Sequence, residues 1–499
     1  MRVLMLGWEF PPHISGGLGT ACQGICEGLA ASEVEVLFVV PKAFGDEWAP
    51  RTRVVGANQV GWNEEAPVGP KSRTSVRRAQ LQLDPQVGWN HALGAEVLAT
   101  GAPAAREHAQ PTSFVHSYQI DSPLRPYLTA REYSTWVGEA DGHPVEVDLP
   151  PGSAPPFPQQ RDTAGWLEWT EALAEEARLQ AAPSTWVHHE FAGGYGGDLF
   201  DEVARYARVV AHLAAQESFD VVHGHDWMTA PAAIAAARAA GKPLVMHAHA
   251  LERDRSGTAV DVRVQALERL GLVHADRVVC VSHYTANIVH HDYGVPRSRL
   301  RVVHNAVTQK EQRAEWHTRR LVKDPIVLFL GRVTMQKGPE YFLEAAALVV
   351  KIRPDVTFVL SGSGDMLPRM IEYSAKLGLA RHVHFTGFLR GKDVERMYSM
   401  ADLYVMPSVS EPFGIAPLEA MALDVPVILS SQSGVSEVVT HALKVDFWDT
   451  RELANKILAV LEYAPLRDDL IQSGREEVRR MRWEARGSLL RRVYEELMP

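Results

Sequence analysis

Cysteine is scarce in this chain of 499 residues: only Cys22, Cys26 and Cys280 occur. Three thiols are too few for a disulfide framework, and their settings, a helical i, i+4 pair and an apolar run, are those of helix-face and core residues. No Asn-x-Ser/Thr sequon is present, and no uninterrupted apolar stretch approaches the ~18 residues of a membrane span. The first apolar run, VLMLGW, meets Glu9, Pro11 and Pro12 too early for a signal peptide, so a cytoplasmic protein with no integral membrane segment is expected. Excess positive charge is missing too. The 51 basic residues face 61 acidic ones for a net charge of -10, which argues against a nucleic-acid partner. A Walker-type G-x-x-x-x-G-K-[ST] loop and a G-x-G-x-x-G fingerprint are both absent. No Asp-x-Asp pair exists either, which removes the usual carboxylate cradle for a metal-bound nucleotide sugar.

What is present is an ordinary globular mix: 46% hydrophobic and 22% charged residues exclude disordered, collagenous and coiled-coil classes. The length suits about two or three domains. Short β-branched runs alternate with helical stretches at Arg2–Gly7, Val34–Val40, Phe219–His225, Pro243–His249, Asp276–Ser282 and Leu300–His304. A second series runs through Ile326–Gly331, Val356–Ser361, Val383–Gly387, Leu403–Pro407 and Val425–Ser430. Apolar strands alternating with helices predict parallel sheets covered on both faces, and two series predict two doubly wound α/β domains. The expected boundaries are 1–308, 309–482 and a last helix over 483–499, with a charged join at Val307–Lys323. Residues 45–185 read as an insertion with some strands of its own, such as Thr112–Ile120.

Several loops at strand ends carry chemistry, because ligands of open α/β sheets bind there. Gly16-Gly17-Leu18-Gly19-Thr20 follows the first strand and opens a helix, so its backbone N–H groups suit either an anion or a tight turn. In FLGRVTMQKG, Arg332 and Lys337 sit just past a buried strand, spaced to clasp a diphosphate. Ser361–Asp365, SGSGD, follows another strand, and the small Gly362 there would admit a nucleotide. In SVSEPFGIAPLEAMAL, Glu411 lies in a loop and Glu419 in the first turn of a helix begun by Pro417, where a carboxylate can accept from ribose hydroxyls. VVHGHDW and VMHAHALERDRSG place His223 and His225, then His247 and His249, on common strand faces. Both pairs fit sugar-hydroxyl and acid/base contacts, and a four-histidine metal site is the lesser reading. His188–Glu190 and His290–Asp292 read as structural, and Gly193–Gly197 as a flexible loop.

Taken in order, GRVTMQKG, SGSGD, EPFGIAPLEAMA and SGVSEVV resemble the donor half of the retaining GT-B glycosyltransferases of family 4. GGLGT, VVHGHDW, VCVSHYT and VVHNAV resemble the acceptor half, and together the matches span roughly residues 1–40 and 185–485. MLGWEFPPHISGGLGT, HALERDRSG and HALKVDFWDT are similar to the glycogen/starch-synthase branch. The resemblance implies a GT-B fold: two Rossmann-like doubly wound domains facing across a cleft, with a nucleotide-diphosphate sugar held by the second and no metal or cofactor. It implies that Arg332 and Lys337 neutralise the leaving diphosphate, Glu411 contacts the donor sugar and Glu419 binds the ribose. Phe413, Gly414 and Ile415 would offer backbone N–H groups, and Gly17 would lie by the phosphates. His225 would meet the transferred sugar, with His249 and Arg255 on the sugar or acceptor side. The last helix would cross back onto the first domain. One departure stands out: bacterial ADP-glucose synthases of this branch carry Lys-Thr-Gly-Gly-Leu where this chain has Ile14-Ser15-Gly16-Gly17-Leu18.

The expected function is therefore transfer of a hexose, glucose first, from UDP- or ADP-glucose to a glycan acceptor of the α-glucan kind. Transfer to an envelope, exopolysaccharide or small-molecule acceptor is the alternative; Arg73, Arg77 and Arg78 would serve a lipid-linked one. A non-catalytic glucan- or nucleotide-binding protein on the same fold is a third reading, and the oligomeric state stays open.

Overall fold

The computed structural model describes residues 1–12, 17–57, 158, 161–179, 199–308 and 323–498. Seven strands form the first sheet: β1 (Arg2–Leu6), β2 (Glu35–Val40), β3 (Thr52–Gly56), β4 (Val221–His225), β5 (Leu244–Ala248), β6 (Arg277–Cys280) and β7 (Leu300–Val302). They are all parallel, in the order β3-β2-β1-β4-β5-β6-β7. Six more form the second: β8 (Ile326–Leu330), β9 (Thr357–Ser361), β10 (Val383–Gly387), β11 (Leu403–Met406), β12 (Val427–Ser430) and β13 (Leu443–Val445). These too are parallel, in the order β10-β9-β8-β11-β12-β13. The chain order reverses between β1 and β4 in one sheet and between β8 and β11 in the other, so each sheet has its ligand crevice there.

Strand alternation divides the first core. Leu4 and Leu6 of β1 join a cluster with Trp166, Tyr206 and Trp227, whereas Val3 and Met5 point to the opposite layer with Phe38, Trp483 and Tyr494. That second layer holds helix α1 (Gly17–Ala31) and the last helix, Trp483–Glu495. The two helices touch backbone to backbone: a Cβ at Gly487 would lie 2.0 Å from the Gly28 carbonyl oxygen, and one at Gly24 would strike the Trp483 ring. Tyr494 of the last helix reaches through to His223 on β4, with its hydroxyl 2.7 Å from Nδ1. The chain thus ends against its first domain.

Two stretches expected within an insertion belong instead to the first domain. β3 pairs with β2 through Thr52–Gly56, and the helix Thr163–Leu179 buries Trp166, Trp169 and Leu173 against the helix Asp226–Ala240 side of the sheet. Both were legible as local patterns, TRVVG as a β-branched run and Trp166/Trp169/Leu173 as a helical stripe. The expected strand Thr112–Ile120, the arginines 73, 77 and 78, the His188–Glu190 run and the Gly193–Gly197 loop lie outside the described residues. Among the described residues, no helix is long and apolar enough to cross a membrane.

Candidate active site

In the second domain the donor-side loops are clamped to one another by backbone bonds. Gly331 N–H donates to the Ser361 carbonyl at 3.0 Å, and Val333 N–H to that of Ser363 at 2.9 Å. Gly362 makes this approach possible: its φ is +142°, and a Cβ there would sit 1.8 Å from the Gly331 oxygen. Its place in the SGSGD loop is set by packing against the Gly331 backbone. Past Arg332, a 3₁₀ turn over Met335–Lys337 ends at Gly338, whose φ of +63° brings the turn against the Pro407 carbonyl at the end of β11.

That closeness joins Lys337 to Glu411. Lys337 Nζ donates to Glu411 Oε2 at 2.5 Å, and Ser408 Oγ donates to the same oxygen at 3.1 Å. Glu411 is 5% exposed, and its backbone is bridged to the loop after β12: its N–H donates to the Gln432 carbonyl, and its carbonyl accepts from Gly434 N–H. A half-buried ammonium so held is a preorganised cation at the carboxyl edge of the sheet. Arg332 is exposed on the same loop and donates to Gln336 Oε1 at 3.4 Å. Glu419 sits in the first turn of the helix Ala416–Ala422, with the Tyr398 hydroxyl 3.5 Å from its Oε2. Burial, with Glu419 alongside, raises the Tyr398 phenol far above its ordinary value, so it remains a donor.

Phe413, Gly414 and Ile415 contribute unequally. The Phe413 ring is buried and its carbonyl accepts from Val435 N–H at 2.8 Å. Gly414, at φ +95°, has room for no side chain beyond contact with Glu411 Cγ and Met406 Sδ. Ile415 packs against apolar clusters of both domains. Of these three, Gly414 and Ile415 are half-buried and leave backbone near the cleft.

In the first domain, His223, His225, His247 and His249 come together as a stack of imidazoles at the ends of β4 and β5. Ring centroids lie 4.5 Å apart for His223–His225 and 4.1 Å for His247–His249, and His225 Nδ1 is 2.8 Å from His249 Nε2. Burial lowers all four basicities, that of His223 to about 3, so the rings are neutral near pH 7. His225 is fully buried, and His249 is the member of the stack that reaches partial exposure. Asp226, held at φ +56°, accepts from the backbone N–H groups of His249 (2.7 Å) and Ala250 (3.4 Å) and so locks the two strand ends together. Gly17 opens α1 with nothing among the described residues within 4 Å of a Cβ there, and Glu9 Oε2 accepts from Gly19 N–H at 3.3 Å. Ile14–Gly16 lie outside the described residues.

Arg255 is placed differently from the expectation. Its guanidinium, with side-chain exposure of 9%, meets Glu268 Oε1 at 3.2 Å, Glu252 Oε2 at 3.5 Å and the Ala250 carbonyl at 3.3 Å. Arg255 therefore braces the loop after β5, engaged by two buried carboxylates and the Ala250 carbonyl. Burial pushes Glu268 up to about 7, against the opposing pull of Arg255 and the hydroxyl of Tyr293. A carboxyl whose folded pKa exceeds its unfolded value stabilises the fold in acid and loses that contribution as pH rises through about 7. Relative to Glu268→Gln, the wild type should thus lose thermal stability between about pH 4.5 and 7. Melting curves for the pair across that range check it; a difference independent of pH would show that Glu268 keeps an ordinary pKa.

The loops of the two domains meet each other. Ser410 Oγ donates to Asp254 Oδ1 at 2.6 Å and lies 2.9 Å from the Tyr284 hydroxyl. Glu437 accepts from the backbone N–H groups of His283 and Tyr284, at 2.9 and 2.7 Å, and pairs with His304 Nε2 at 2.9 Å. Between these loops is a cavity of about 220 Å³, lined by Arg253, Asp254, Thr258, Tyr284 and Ser410. Asp254, Tyr284, Ser410 and Glu437 were not singled out as cleft residues, although HALERDRSG, VCVSHYT, SVSEPFGIAPLEAMAL and SGVSEVV contain them.

Family models match both domains. The model of Glycosyltransferase Family 4 matches residues 140–311, and that of Glycosyl transferases group 1 matches residues 310–477; together they span more than half of the chain. The two halves of the chain thus match glycosyltransferase models, and its fold is that of the GT-B glycosyltransferases. An uncharacterized glycosyltransferase of Methanocaldococcus jannaschii is 32% identical over 238 residues, 45% of this chain and 61% of that protein. The D-inositol 3-phosphate glycosyltransferase of Salinispora tropica is 28% identical over 64% of this chain and 74% of its own. Among solved structures, the sucrose-phosphate synthase from Thermosynechococcus elongatus has a TM-score of 0.54 at 24% identity, covering 64% of this chain and 82% of that one. Anabaena HepE, in complex with UDP and glucose, has a TM-score of 0.52 at 23% identity, covering 60% and 84%. At that identity the two structures speak for the fold of this glycosyltransferase.

Proposed function

We propose that this glycosyltransferase moves a hexose, glucose first, from a nucleotide-diphosphate sugar to a hydroxyl of a glycan acceptor, with retention of configuration. The observation that carries this reading is the Lys337–Glu411 contact of 2.5 Å at the carboxyl edge of the second sheet. A diphosphate entering there competes with Glu411 for the ammonium and takes up the charge of Lys337 and the exposed Arg332. Glu411, relieved of its partner, then faces the donor sugar, and Glu419 takes the ribose hydroxyls beside Tyr398. As the glycosidic bond lengthens, charge grows on the leaving phosphate, and the two cations with the backbone of Gly414 and Ile415 stabilise it. The acceptor hydroxyl attacks from the same face, and the departing phosphate takes its proton. The cations on the chain do the neutralising, so the transfer is metal-independent in this reading. His249, at the exposed end of the stack, supplies the first domain's imidazole contact to the sugar, with the buried His225 behind it at 2.8 Å.

The acceptor that the synthase-like motifs favour is an α-glucan, and a cytoplasmic site of action goes with it. A small polyol acceptor is the second reading: the 220 Å³ cavity is below the usual range for drug-sized pockets, and a relative carries the name D-inositol 3-phosphate glycosyltransferase. Incubation with radiolabelled UDP- and ADP-glucose, with glycogen or with inositol phosphate, tests both. Label in glycogen is the expected result, with an α-linkage by NMR. Label in the inositol product would favour the second reading, and nucleotide binding without transfer or hydrolysis would overturn both.

A further inference from the structure

The base of the first-domain crevice holds a second constellation. Cys22 lies on the second turn of α1, His225 ends β4 and His249 follows β5, so three separate elements converge. One donor atom from each, a thiol sulfur and two ring nitrogens, lies within 4.8 Å of the others. In a tetrahedral site with metal–nitrogen bonds of about 2.0 Å and metal–sulfur bonds of about 2.3 Å, donor atoms stand roughly 3.5 Å apart. The spacing here needs side-chain adjustments of roughly one ångström, and the His225–His249 nitrogens are already 2.8 Å apart.

We propose that Cys22, His225 and His249 form a binding site for a soft divalent transition metal of the zinc class. Thiolate with two imidazoles selects zinc-, cobalt- or copper-like ions over magnesium or calcium. Three protein ligands leave a fourth position open toward the partly exposed His249 side. One further observation supports a cation. Glu9 and Asp226, both buried, place negative charge near Cys22. Asp226 also orients the His249 backbone, at 2.7 Å.

The neighbouring groups do not offer the same geometry. His223, His225 and His247 also bring ring nitrogens within 4.8 Å, but His223 Nδ1 is already engaged by the Tyr494 hydroxyl at 2.7 Å and all three rings are buried, which leaves no open fourth position. In the His283, His304 and Glu437 group, the carboxylate already accepts from two backbone N–H groups and from His304. On binding, the Cys22 thiol releases its proton to solvent and the thiolate takes the metal, so affinity falls as pH is lowered. The site shares His249 with the sugar contact proposed above; insofar as it rests on that reading, metal and sugar compete for the same ring.

Cobalt(II) titration of the chelator-treated full chain tests the site without reference to transfer. One equivalent should bind with a sulfur-to-cobalt charge-transfer band, retained in Cys26→Ser and Cys280→Ser. The band should vanish in Cys22→Ser, and the affinity should drop at least tenfold in His249→Ala, which does not depend on the buried helix position. Absence of stoichiometric binding, a band that survives Cys22→Ser, or one that is lost with Cys26 instead would overturn the proposal. Transfer activity without cobalt binding would discard the metal site alone, and cobalt binding without activity would discard only the transfer reading.

Discussion

Replacing Lys337 by alanine should lower kcat by about 10²–10³-fold, the usual effect of deleting one preorganised group that stabilises transition-state charge. The side chain is half-buried on a 3₁₀ turn, and the turn itself is held by Gly338 and the Pro407 carbonyl, so the backbone should stay in place. The cost to the fold comes from Glu411, which is left at 5% exposure with Ser408 as its remaining side-chain partner. A buried carboxylate that loses its cation costs about 3–5 kcal/mol if it stays charged, and less if it takes a proton. Glu411→Gln in the same background should relieve that cost, so the double variant should be more stable than Lys337→Ala. Steady-state kinetics with the labelled donor and thermal melts of the wild type and the two variants measure both effects. Near-normal turnover in Lys337→Ala would remove it from the chemistry.

The second large effect concerns Gly362 and is mainly structural. A Cβ at this position meets the Gly331 oxygen at 1.8 Å, and the φ of +142° is one that side-chain-bearing residues rarely adopt. Overpacking and backbone strain together should cost about 2–5 kcal/mol in Gly362→Ala. The displaced Gly331 carries Arg332 with it, so the donor KM should rise as well. Gly17→Ala makes the contrast. Among the described residues nothing lies within 4 Å of a Cβ there, and its stability should change by less than about 0.5 kcal/mol. Equal melting temperatures for the two variants would refute the packing account of Gly362.

Much of this architecture was legible beforehand. IVLFL is apolar throughout, and RVLML and EVLFVV are apolar after their first residue, because both faces are covered, and that pattern announces parallel strands at the residue level. Thr52–Gly56 and Leu443–Val445 were passed over since they are short, edge-positioned and only partly buried. Phe413 shows a different limit. Its neighbours in EPFG pointed to backbone contacts, and the structure keeps the ring in the core.

The amino-acid sequence by itself determined the strand and helix types, the two-domain α/β plan and the kinds of side chain at each strand end. Those follow from local period and position, which a linear chain displays. Which side chains meet was decided only in three dimensions. Lys337 and Glu411, 74 residues apart, touch because β8 and β11 are neighbours in the sheet. Arg255 and Glu268, 13 residues apart in the chain, meet at 3.2 Å. Four histidines stack because β4 lies beside β5 in the register that sets His225 opposite His247. Strand order and domain closure bring distant residues within a few ångströms, and no local pattern encodes that distance.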